Sequence, residues 1–348
     1  MSNFDQLQKL DSQKIFDVID SQPGQLRQEY AQSMRQDLTA QDSEGISNVV
    51  FAGMGGSGLA ASIAKNWLFD RISVPFETVR GGSLPGYSDG RTLVIISSYS
   101  GNTAETLKAY DDAHHKNCKL VCITSGGKLA DKARQDDALV LELPAVSQPR
   151  LAVFASLKAL ACILEDLELV AGGDLRSELE DSASFLDTAK MAWSPDITQD
   201  NQAKRMAQDL HTKEVVIYAS PRLGSASYKW KIDINENSKQ IAHSNVFSEL
   251  NHNEMQGWLF PTTKNISSII LQSKDDTSDI KKRITATQEV LGKYGFRPTI
   301  ITVQGSSHIQ QILYAILLGD FVSSYLAILN GIDPTPVELV EEFKKLIA

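Results

Sequence analysis

Ser97-Ser98-Tyr99-Ser100-Gly101-Asn102-Thr103 sets hydroxyls beside a glycine, directly after an apolar TLVIIS run and before a helical stretch. A helix cap needs one hydroxyl or amide, and Asn102-x-x-Glu105 already reads as a capping box. Ser98, Ser100 and Thr103 are then left over, and neutral donors gathered at a helix N-terminus make a phosphate-sized pocket. A second loop, Gly53-Met54-Gly55-Gly56-Ser57-Gly58, also follows an apolar run. Its glycines let backbone N–H groups come close to an anion, with Gly55, Gly56 and Ser57 at its centre. The same loop fits a plain tight turn, and also GxGxxG with Glu77 downstream for a ribose hydroxyl. A dinucleotide site has no use for the hydroxyl-rich loop, so phosphate on a small molecule is the better reading. Arg150 opens a strongly apolar helix, where the helix dipole disfavours a cation. Its placement points to an anionic partner.

The second half carries different chemistry. Glu236 lies between Asn235 and Asn237 near the end of a helix, and Phe247 to Met255 is dense in side-chain donors and acceptors, including His252 and Glu254. His308 opens a later helix and reads as a first-turn histidine.

These residues need elements to hold them. Val49–Ala52, Phe76–Val79, Thr92–Ser97, Leu120–Thr124 and Ala138–Leu143 read as strands alternating with helices, the grammar of a doubly wound parallel sheet. Val215–Ala219, Ser267–Leu271 and Pro298–Val303 repeat it, each followed by a loop and a helix, which predicts a diverged internal duplication. Ligands bind such sheets beyond the carboxyl ends of the strands. The expected architecture is α/β: an N-terminal helical segment (1–45), a first domain (46–172), a helical connection (173–210) and a second domain (211–348). Within the first segment, Leu26, Tyr30, Met34 and Leu38 form an apolar helical stripe, with a break at Pro23-Gly24.

Composition narrows the functional classes. The chain has 348 residues and a net charge of −9, so a basic nucleic-acid footprint is missing and an anion must be captured by local geometry. No apolar run in the sequence approaches the roughly 18 residues of a membrane span, and the polar start does not read as a secretory signal. Cys118, Cys122 and Cys162 are odd in number and include no CxxC, which suits buried thiols, no metal site and a cytoplasmic location.

GMGGSG, SYSGNT, the Pro149-Arg150 pair, NEN followed by the histidine of ELNHNE, and GIDPTPVE together resemble the bifunctional phosphoglucose/phosphomannose isomerases of the sugar isomerase (SIS) domain superfamily. The resemblance runs from about residue 50 to the end, and the NEN…ELNHNE spacing with DPTPVE is its specific part. It implies two SIS domains and a cofactor-free aldose–ketose isomerase acting on glucose 6-phosphate and fructose 6-phosphate, with mannose 6-phosphate as a further substrate. By the same resemblance Gly55, Gly56 and Ser57 lie against the sugar, and Ser98, Ser100 and Thr103 hold its phosphate. Arg150 stabilises the enediolate, Glu236 is the base, and His252, supplied by the neighbouring subunit of a homodimer, assists ring opening. Lys344 is associated with ring opening too, with Lys345 as its rival, and Thr335 is the nearest candidate for the threonine linked to dual activity. The apolar helices 151–164 and 312–329 are candidates for the dimer interface.

Two other classes remain in view. A sugar-phosphate sensor with this fold needs the phosphate loop but not Glu236 and His252, and a nicotinamide-dependent oxidoreductase rests on GxGxxG and Glu77 alone.

Overall fold

The structure, a computed structural model, describes residues 4, 6–29, 44–146, 148–261, 263 and 265–347. Tyr30, Met34 and Leu38 of the expected helical stripe lie outside the described residues. The chain forms two compact units, residues 21–184 and residues 1–20 with 185–348. It passes from one unit to the other inside two helices, as the residue ranges below show.

Helices α1 (Leu7–Leu10) and α2 (Ile15–Gln25) come first. Pro23 sits inside α2 instead of breaking it. It forgoes the bond its N–H would make in the last turn, and the chain closes with shorter bonds from Leu26 N–H to Pro23 O and from Arg27 N–H to Gly24 O.

The unit of residues 21–184 is built on β1 (Asn48–Gly53), β2 (Phe76–Val79), β3 (Thr92–Ser97), β4 (Lys119–Thr124) and β5 (Leu139–Glu142). All pair parallel in the order β2-β1-β3-β4-β5. Its helices are α3 (Leu59–Trp67), α4 (Ala104–His115), α5 (Gly127–Gln135), α6 (Val153–Asp166) and the first part of α7 (Leu175–Ala189). Every residue of β3 is buried, and so is β1 after Asn48, so these strands read as apolar runs with no polar alternation. Gly53 pairs with Ser97, so the two loops singled out above leave the sheet side by side at its carboxyl edge.

The other unit holds α8 (Gln202–Leu210), β6 (Glu214–Ala219), α9 (Gly224–Glu236), β7 (Ala242–Val246), α10 (Glu249–His252), β8 (Ile266–Gln272), α11 (Ser278–Lys293), β9 (Thr299–Thr302), α12 (His308–Leu329) and α13 (Glu338–Ile347). Its sheet is parallel in the order β7-β6-β8-β9. Strand β7 was not expected. Its sequence, AHSNV, is mostly half-buried or exposed because it is an edge strand, and it carries no apolar run.

Helix α12 corrects the expectation that no stretch could cross a bilayer, since it is long and apolar enough by length and composition. Ile309 through Ile328 are all buried, so that apolar surface is covered within the protein. The same holds for Val153 through Leu164 of α6. Neither helix offers the free apolar face that the interface expectation needs. At one crossing Gly319 lies so close to Trp230 that a β-carbon would come within 2.5 Å of the indole nitrogen, which donates to Ala315 O at 2.6 Å. Beside it, the ammonium of Lys229 binds both Asp233 and Asp320, all three fully buried. Burial holds the Asp233 carboxyl well above the usual aspartate range against the pull of Lys229, and the neighbouring Asp320 adds to the rise. Burial opposes the charge on Lys229, yet the two carboxyls outweigh it and keep the ammonium charged. One ammonium and two carboxyls sharing one proton make a neutral cluster, the state a dry core favours.

Candidate active site

At the carboxyl edge of the first sheet the chain after β1 makes a tight turn over Gly55–Gly58, with Gly55 in the left-handed region at φ 51°. A β-carbon on Gly56 would lie 2.8 Å from the backbone nitrogen of Arg150, so this turn and the Pro149–Leu151 turn meet backbone to backbone. The Arg150 side chain is 1% exposed. Ser57 Oγ accepts the Tyr99 N–H at 3.0 Å and ties the turn to the hydroxyl-rich loop. That loop is braced again where the Tyr99 hydroxyl donates to Pro144 O and Val146 O.

Within the loop, Ser98 Oγ donates to Thr103 Oγ1 at 3.2 Å. The expected Asn102-x-x-Glu105 capping box does not form. Thr103 is the N-cap of α4, in extended backbone, and makes no side-chain capping bond. Asn102 turns away, donating to Ser100 O at 3.0 Å and accepting the Lys128 N–H at 3.2 Å. Gly101, at φ 66°, faces Gly126 so closely that a β-carbon would sit 1.8 Å from Gly126 O. Gly126 and Gly127 were not singled out in the sequence, though a Gly-Gly pair after an apolar run is the signal that marked residues 53–58. The structure therefore brings Gly55, Gly56, Ser57, Ser98, Ser100, Thr103 and the Arg150 turn to one edge, around the starts of α3 and α4, whose N-cap residues make no side-chain capping bond. Such an edge can hold an anion.

At the matching edge of the other unit two helices are capped by side chains. Thr277 caps α11 at Ile280 N–H, and Ser307 caps α12 at Gln310 N–H. Asp276 accepts the Ser273 N–H at 2.8 Å, Gln311 bridges Ser273 and Asp275, and a His308 ring nitrogen meets Arg222 O at 2.8 Å.

Glu236 and His252 are not neighbours in this unit. Helix α9 runs back from the carboxyl end of β6, so Glu236, its last residue, sits at the amino edge near the start of β7. The Ala242 N–H donates to Asn235 Oδ1 there. His252 follows the carboxyl end of β7, so the two are separated by the length of a strand, about 15 Å. His252 is exposed and Glu236 is half-buried. Lys344 and Lys345 are exposed on α13, where Lys344 pairs with Glu341 at 2.7 Å beside the exposed Leu339, Phe343 and Leu346. Thr335 is fully buried, its N–H donating to Asp333. Cys118, Cys122 and Cys162 are free thiols; burial pushes all three up, so none is a poised nucleophile.

Comparison with known proteins gives matches in both halves. Residues 45–169 match the SIS domain model, and residues 199–347 match the model for the bacterial phospho-glucose isomerase C-terminal SIS domain. A bifunctional phosphoglucose/phosphomannose isomerase from Caldicellulosiruptor bescii is 35% identical over 96% of this chain and 99% of its own. One from Aquifex aeolicus is 33% identical over 88% and 92%. Among solved structures, a hypothetical protein from Thermus thermophilus superposes with a TM-score of 0.75 at 16% identity, covering 98% of this chain and 91% of that one, a likeness of fold.

Proposed function

The chain belongs to the family of bifunctional phosphoglucose/phosphomannose isomerases, and we propose that it interconverts glucose 6-phosphate and fructose 6-phosphate, and mannose 6-phosphate and fructose 6-phosphate. The observation that carries this reading is the edge of the first sheet, where hydroxyls, glycines and the uncapped start of α4 gather beside a buried arginine. Ser98, Ser100 and Thr103 take the phosphate, and Gly55, Gly56 and Ser57 lie along the sugar. The anchored phosphate lets remote binding energy hold C1 and C2 against the base.

Glu236 removes the proton from the carbon beside the carbonyl and returns it to its neighbour on the same face, through a cis-enediolate. One carboxylate serves both steps, and neither metal nor nicotinamide is invoked. Arg150 stabilises the enediolate oxygen, the larger electrostatic contribution. His252 moves protons at the ring oxygen or anomeric hydroxyl, with Lys344 or Lys345 assisting. The separation of Glu236 and His252 to opposite edges of one sheet supports a homodimer in which each site takes its histidine from the partner. The free thiols suit a cytoplasmic enzyme.

The test is turnover of fructose 6-phosphate by chelator-treated protein, following both aldose products, with Glu236→Gln alongside. Turnover that survives chelation and falls by about three powers of ten or more in the variant supports the isomerase and its base. Binding without turnover in the wild type would leave a sugar-phosphate sensor instead. Mixing Glu236→Gln with His252→Ala subunits should restore activity at about a quarter of the sites if the histidine crosses subunits, and none if it does not.

A further inference from the structure

His252 stands out from the surface, yet the residues on either side of it are tied into the interior. Asn251 donates to Thr287 Oγ1 on α11 at 3.0 Å. On the other side the Glu254 carboxylate accepts the Tyr218 hydroxyl at 2.8 Å and the Asn245 side-chain amide at 2.6 Å. Tyr218 is the penultimate residue of β6 and Asn245 the penultimate residue of β7, so a single carboxylate clasps the carboxyl ends of two adjacent strands. The Trp258 indole N–H donates to the same Tyr218 hydroxyl at 2.7 Å, and Trp258 packs edge-on against Tyr218 at 6.4 Å. Tyr218 is 1% exposed and Trp258 6%. Burial pushes the Tyr218 hydroxyl up; the Trp258 bond opposes this and the charge of Glu254 adds to it, so the tyrosine keeps the proton it donates.

This is more polar order than a solvated loop needs. A hydrogen-bonded carboxylate in a half-buried place loses hydration, and only well-formed partners offset that loss. An exposed imidazole that must meet a substrate on another subunit has a different requirement, a backbone held to a fraction of an ångström with the side chain free. We propose that Glu254, clasped by Tyr218 and Asn245, is a positioning residue that sets the His252-bearing segment for ring opening. The proposal rests on the role assigned to His252 above.

The test is a double-mutant cycle on the full-length protein with two substrates. Glu254→Gln keeps the size of the side chain but leaves an amide that cannot accept both bonds at full strength. With fructose 6-phosphate its kcat should fall roughly 10- to 100-fold with KM within about twofold. Tyr218→Phe, which deletes one hydroxyl, should fall in the same direction by less. Added to His252→Ala, Glu254→Gln should cause no further loss, because a residue that acts only through His252 has nothing left to position. The second substrate is 5-deoxyfructose 6-phosphate, which lacks the hydroxyl that closes the furanose ring. On it both Glu254→Gln and His252→Ala should keep near wild-type turnover. A merely structural role would reduce both substrates alike and would multiply the loss in the double variant, and either result overturns the proposal. A wild-type kcat in Glu254→Gln while His252→Ala is impaired also overturns it. Full activity in His252→Ala would instead remove the premise about the histidine.

Discussion

The carboxyl edges of the two sheets are built from the same succession of strand, loop and helix, and they treat the helix after the third strand in opposite ways. In the unit of residues 21–184, α4 begins with no side-chain capping bond, and Asn102, which could cap it, instead accepts the Lys128 N–H in the first turn of α5. In the other unit, Thr277 and Ser307 cap α11 and α12, and Asp275 and Asp276 occupy the loop whose counterpart is rich in hydroxyls. Asp276 is itself 5% exposed, and burial raises its carboxyl despite the bonds that oppose the shift. An anion approaching that edge meets carboxylates and satisfied N–H groups. The start of α4 thus keeps N–H groups that no side chain of its N-cap residue satisfies, while α11 satisfies the same groups with Thr277.

The most severe test of this contrast is Gly101→Ala. Its β-carbon would be driven to 1.8 Å from Gly126 O at a backbone angle of φ 66°, and neither backbone can yield cheaply. Urea unfolding should show a loss of about 3 kcal/mol or more, with sugar-phosphate binding abolished in calorimetry. A variant that binds normally would show that the loop's shape does not make the pocket.

A smaller, crossed pair sharpens the point. Thr103→Ala removes no capping bond, so stability should hold within about 0.5 kcal/mol while KM for the sugar phosphate rises roughly tenfold. Thr277→Ala removes a real cap and should cost about 1 kcal/mol in the urea midpoint, with KM unchanged. Equal losses of stability in the two variants would break the contrast between open and closed edges.

Much of this contrast was legible in the residues. TLVIIS and VVFAG announced buried parallel strands because both faces of the sheet are covered, and the glycine and hydroxyl clusters after them leave the sheet together at its carboxyl edge. The leftover hydroxyls were read as ligand donors on the argument that Asn102 would cap the helix. That argument rested on a wrong assignment, since Asn102 does not cap α4 and accepts the Lys128 N–H in the first turn of α5 instead. A bond between loops that are distant in sequence leaves no local pattern. Strand β7 escaped for a related reason: an edge strand of polar residues has neither the apolar run nor the clean alternation that periodicity detects. The separation of Glu236 from His252 was also hidden in the sixteen-residue spacing, because nothing in that stretch shows that a strand turns it from one edge of the sheet to the other.

The neutral cluster of Lys229, Asp233 and Asp320 has a consequence for calorimetry. The Asp233 carboxyl lies well above its ordinary 3.8 in the folded chain, so the stability tied to its proton is complete below about that pH and is lost as pH rises toward the folded value. Between those two values unfolding therefore expels a proton into the buffer. Stability should fall by about 1.4 kcal/mol per pH unit on this account, and Asp233→Asn should remove that slope. The heat of unfolding will then depend on what receives the proton. An amine buffer, which releases heat on protonation, should give a lower apparent enthalpy than phosphate at the same pH, and in Asp233→Asn the gap between the two buffers should shrink by one proton's worth. Read this way, the buried lysine and its two acids are a proton store that empties only when the whole unit melts.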